Sequence, residues 1–172
     1  MGVTDVVGVA RDTTKKTVNE TVKAAGDVTT SVMNVVADVV SGGAAAVSQT
    51  SQSTADGVAG VVEGAVSAAQ EVGVDVAGAV KESAHGVIKG VSDVGGDLGE
   101  AGVGAVRGAI AAATVIGTDT GEAATDAVIG VIHAADKIGS EAGGVVRKAL
   151  LSTAALPREI IEAAIGKAEK NP

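Results

Sequence analysis

No cysteine, phenylalanine, tyrosine or tryptophan occurs in the 172-residue chain, and only 2 prolines do. Without cysteine there are no disulfides, no thiolate nucleophile and no thiolate metal ligands, and the redox compartment is unreadable. Without aromatics the largest single side-chain burials are missing. A core must then rest on Val, Ala and Ile. Cations are also in short supply: 13 Lys and Arg stand against 21 Asp and Glu, for a net charge of −8. Nucleic acid is therefore not an expected partner, because neutralising phosphates needs clustered cations. Purely electrostatic attachment to an anionic membrane is disfavoured for the same reason. The longest clearly apolar, uncharged run lies between Arg107 and Asp119, well short of the roughly 18 residues that read as a span. Neither a transmembrane segment nor a signal peptide is expected, and the compartment is left open.

What the chain has in quantity is glycine, 25 residues, within a sequence that is 46% hydrophobic. That apolar content argues for an ordered structure. The glycines recur. The stretch GTDTG (117–121) has counterparts GGDLG (95–99), GVDVA (73–77) and GSEAG (139–143), each displaced by 22 residues. Around them AVRGAIAAATVIGTDTGEAATD (105–126) aligns without gaps on AVIGVIHAADKIGSEAGGVVRK (127–148). Earlier blocks keep Gly64 and Gly73, then Gly86, Gly95 and Gly99, in register. A period of 22 is twice eleven, or about 3.67 residues per turn, which is helical spacing. Strand alternation is absent over any comparable length.

GTDTG admits three readings. Its small residues can face a neighbouring helix, as in small-xxx-small contacts. The second glycine becomes Ala77 and Ala55 in other copies, and the first becomes Ser51. Tolerance of a Cβ favours a demand for small size over a demand for positive φ. Continuous helix is therefore the first reading. The second is a helical hairpin unit, with glycine ending one helix and the acid capping the next. Asp97 with Glu100, and Asp119 with Glu122, match a capping box. The third, a cation loop, is weakest, since one carboxylate per copy lacks adjacent oxygen donors. Gly42-Gly43 and Gly95-Gly96 are the expected breaks in either helical case, and SQTSQST (48–54) the expected loop.

Catalytic chemistry is hard to assemble. His85 and His133 are far apart in sequence with no His or Cys near either, so surface histidines are expected rather than metal ligands. Asp93, Asp97 and Glu100 on one helix face read as a solvated acidic stripe. GVGAVRG (102–108) follows no strand and belongs to the repeat, so it is packing and not a dinucleotide loop. No enzyme activity, cofactor or metal is expected.

The segments NETVKAAGDVTT (19–30), HGVIKGVSDVGG (85–96) and GVIHAADKIG (130–139) resemble the eleven-residue amphipathic repeats of perilipins and synucleins. The resemblance implies long helices that lie on lipid or other hydrophobic surfaces.

The expected fold is all-α: long glycine-, alanine- and valine-rich helices with a 22-residue repeat, packed closely side by side as hairpins or an array. The expected organisation is an N-terminal amphipathic helix over 1–41, a Gly/Ser/Thr-rich break over 42–54, the repeat region over 55–156, and a short C-terminal helix and tail over 157–172. The expected function is a non-enzymatic structural protein that self-associates into a homo-oligomer, fibre or array. A peripheral coat on a lipid or hydrophobic surface is the alternative. The residues expected to make the contacts are Gly64, Gly73, Gly86, Gly95, Gly99, Gly108, Gly117, Gly121, Gly130, Gly139 and Gly143. The expected partner is the chain itself.

Overall fold

A computed structural model describes residues 54–171 apart from Val74, together with Gly8, residues 11–17, Asn19 and Glu20. The expected break at 42–43, the loop at 48–53 and most of the N-terminal helix fall outside these residues. From residue 54 onward six helices are described: α1 (Thr54–Glu71), α2 (Val76–Asp93), α3 (Leu98–Ile116), α4 (Thr120–Ile138), α5 (Ser140–Ser152) and α6 (Arg158–Lys170). Residues 11–17 are also helical, and no strand occurs among the described residues. The all-α expectation holds. Thr54, expected in the break, is the first residue of α1.

The repeat is one helix plus one turn, so the continuous-helix reading is overturned. Gly73, Gly95 and Gly117 have φ of 77°, 69° and 85°, values that a Cβ makes costly. Around Gly95 the ending is a Schellman motif: Gly96 N–H donates to the Val91 carbonyl at 2.9 Å and Gly95 N–H to the Ser92 carbonyl at 3.1 Å. Two residues past each of these glycines an aspartate caps the next helix. Asp75, Asp97 and Asp119 accept from the backbone N–H of Gly78, Glu100 and Glu122 at 2.8, 2.9 and 2.8 Å. The fourth copy differs. Gly139 alone separates α4 from α5, its backbone is extended, and α5 has no side-chain cap. Glu141 stands where the other copies carry the capping aspartate.

Helices α1 to α4 are 18 or 19 residues each, about 27 Å long. Short turns make consecutive helices antiparallel. The tightest neighbours, however, are two apart in sequence, α1 with α3 and α2 with α4. Within such pairs the helices run parallel, since Gly104 faces Ala55 while Gly108 faces Ala59, four residues further along both. Likewise α4 and α6 run parallel, as Gly121 lies near Ile160 and His133 near Ala168. The array thus has two layers, one containing α1 and α3 and the other α2, α4 and α6. Between the layers lies a core of valine, alanine and isoleucine, with Val62, Val66, Ile88, Val106, Val128 and Ile132 all fully buried.

The C-terminal helix belongs to the same core. Ile161, Ala164 and Ala168 turn inward, and Arg158, Glu159, Glu162, Lys167, Glu169 and Lys170 are exposed. Among the described residues one helix, α3, is long and apolar enough by composition to cross a membrane, with mean hydropathy 1.2. It exceeds the length expected from the sequence because Arg107 falls inside it. Its Ala101, Ala105, Val106, Ala109 and Ala112 are wholly buried in the array.

Candidate functional site

The glycines expected to form one contact surface do three different things. Gly64, Gly108 and Gly130 allow close backbone approach. A Cβ on Gly108 would stand 2.9 Å from Ala59 Cα, and one on Gly130 would stand 2.6 Å from the Lys81 carbonyl oxygen. Gly64 lies in the same way against the backbone of Arg11, and Gly104, which was not singled out from the sequence, against that of Ala55. All of these approaches are made within the chain. Gly86 is also buried, on α2.

Gly73, Gly95 and Gly117 are not contacts. They are exposed turn residues with open space where a Cβ would go. Gly139 is likewise open and joins two helices. The tolerance of Ala that suggested contacts belongs to the second glycine of the motif, replaced by Ala55 and Ala77, which sits in the first turn of a helix. There size does matter. Gly99 faces Ala149 and Val145, and Gly121 lies near Ile160.

Gly143 has a separate role: a Cβ there would collide with the Asp136 carboxylate and with the Arg147 guanidinium. Those two side chains form a bidentate pair at 2.8 and 2.8 Å across α4 and α5. The guanidinium hydrogen bonds hold the Asp136 carboxyl below its usual range, and Arg147 is raised in turn. Glu169 of α6 lies 3.7 Å from Arg147, so one cation ties three helices.

Ion pairs also cross the parallel helix pairs. Arg107 of α3 meets Asp56 of α1 at 3.0 Å, and Lys81 of α2 meets the nearly buried Asp126 of α4 at 3.1 Å. Arg11 with Glu63, and Lys15 with Glu71, fasten the 11–17 helix to α1. Pairs half-open to water contribute modestly to stability. They fix register between helices whose glycine faces alone would let them slide.

The histidines are closer than the sequence suggested. His85 on α2 is half-buried, and burial lowers its pKa first, with the positive charge of Lys137 and the His133 ring on α4 adding to the effect. His133 Nε2 lies 3.4 Å from the Ala168 carbonyl oxygen. No third ligand completes a metal set among the described residues. The expected acidic stripe is also dispersed. Asp93 pairs with Lys89 at 3.3 Å in the last turn of α2, Asp97 caps α3, and Glu100 lies in the first turn of α3. The break at 94–97 keeps them off a common helix face.

One apolar surface was not legible in the sequence. Between the α2–α3 turn and the α4–α5 turn runs an open groove of about 610 Å³, lined by Leu98, Ile138, Ala142 and Val145 among others. Ile138 is 48% exposed and Val145 46%. The chain matches no protein-family model and no curated protein.

Proposed function

We propose that the chain is a non-enzymatic structural protein that works by helix–helix packing through small-residue faces and associates with copies of itself by exchanging equivalent repeat units. The observation that supports this is the repetition of one contact geometry. Gly108 on Ala59 and Gly130 on Lys81 are the same approach moved on by one 22-residue unit. A helix of one copy then fits the position of the corresponding helix in another, the usual route to swapped assemblies in repeat proteins. The outward charge of α6 acts as a cap at one end of the array, which favours discrete oligomers over an open fibre.

Sedimentation of the purified chain across a wide concentration range tests the proposal. Helical dimers or larger closed species are expected at high concentration, and Gly108→Leu with Gly130→Leu should remove them together with the folded monomer. A folded chain that stays monomeric throughout would refute self-association. The second reading, a coat on a lipid surface, draws on the inward apolar face of every complete helix, which short glycine turns would let unfold onto an interface. Flotation of the chain with oil droplets, absent from a matched protein-only control, would favour that reading.

A further inference from the structure

The groove at the α2–α3 and α4–α5 turns is set off by an asymmetry within the repeat. Val72, Val94, Ile116 and Ile138 occupy one repeat position, at the ends of successive helices. At one edge of the array Val72 and Ile116 are half-buried. At the other, Val94 is 46% exposed and Ile138 48%. Val145 adds a third exposed aliphatic side chain beside Leu98 and Ala142. An open apolar groove with aliphatic walls is the setting in which an amphipathic helix is commonly bound.

The charges around it select the occupant. Asp97 and Glu141 line the groove and Glu100 lies one turn further along α3. Of the nearby lysines, Lys89 pairs with Asp93, Lys137 acts on Glu82 and His85 of α2, and Lys148 is exposed on α5. Together with Lys148, the N-termini of α3 and α5, about half a positive charge each, still bring less positive charge than the three carboxylates bring negative. Two copies apposed groove to groove would set Glu100 and Glu141 of each against the other's, which like-charge repulsion opposes.

We infer that this groove docks a basic amphipathic helix of a partner protein, its apolar side on Ile138, Val145 and Leu98 and its cations against Glu100 and Glu141. The groove leaves out Gly108 and Gly130, on which the self-association proposal rests, so it stands whether or not the chain self-associates.

The test uses the full chain and a fluorescein-labelled leucine/lysine peptide of about five helical turns, with a leucine/glutamate peptide as comparison. Glu100→Lys with Glu141→Lys removes acids from the first turns of α3 and α5. Glu122→Lys with Glu159→Lys removes them from the first turns of α4 and α6. Both double variants shift the net charge equally, so nonspecific attraction falls equally in both. The expected result is a loss of affinity of about tenfold or more in the first variant, with a much smaller loss in the second. Val145→Ser, at an exposed position, should weaken binding without changing charge. Equal losses in the two double variants, no effect of Val145→Ser, no binding, or equal binding of the glutamate peptide would each overturn the inference. So would a dimer of the chain itself that Val145→Ser disrupts.

Discussion

A glycine inside a helix costs about 1 kcal/mol relative to alanine, and what offsets that cost differs from one glycine to the next. At Gly108 and Gly130 the return is close approach to a neighbouring backbone, which cannot rotate away as a side chain can. At Gly143 it is room for a guanidinium and a carboxylate. At Gly144 and Gly166 a Cβ would meet nothing within 4 Å. Alanine substitution should therefore split by site. Gly108→Ala and Gly130→Ala should lose about 1–3 kcal/mol through overpacking. Gly144→Ala and Gly166→Ala should gain about 0.5–1 kcal/mol from helix propensity alone. Urea denaturation of the four variants reads this directly, and stabilisation at all four sites would contradict the close approach.

At the scale of the element, the unit is a helix ended by a left-handed glycine and restarted by an aspartate. Asp75→Ala, Asp97→Ala and Asp119→Ala should each cost about 1 kcal/mol, with Asn at the same positions retaining most of it. Thermal melts comparing the Ala and Asn variants check this; equal losses for both would mean the cap is not the cause. The capping pairs Asp97/Glu100 and Asp119/Glu122 were readable because a side chain bonding three residues ahead is a local event. The helix ends were ambiguous because glycine serves both positive φ and close contact, and composition does not separate the two. Partner choice was beyond local reading. Arg107 finds Asp56 across 51 residues, and nothing near either shows that α1 neighbours α3. The exposure of Ile138 and Val145 likewise depends on where the array leaves an edge uncovered.

For the whole molecule, the absence of aromatics leaves a core of Ala, Val and Ile packed between two helical layers, so titrating groups beside it have leverage on stability. His85 and Glu82 lie on α2, opposite Lys137 of α4, and burial pushes both toward their neutral forms. The signs are opposite. The folded-state pKa of His85 lies below its ordinary 6.5, so the unfolded chain binds the proton first and stability falls as pH drops below that value. Glu82 is raised above its ordinary 4.5, so its contribution is present below that pH and is lost as pH rises through the folded-state value. The Arg147 partnership lowers Asp136 from 3.8; its contribution is lost only in stronger acid. Between about pH 7.5 and pH 5.5, where an ordinary histidine titrates, His85 should therefore impose a loss of stability on acidification. His85→Gln should reduce that loss, while Glu82→Gln should raise stability at neutral pH and leave the histidine-dependent loss in place. Denaturation midpoints of the three proteins at each end of that range decide the matter: an unchanged pH dependence in His85→Gln would show that the ring exchanges its proton as freely in the folded array as in the unfolded chain.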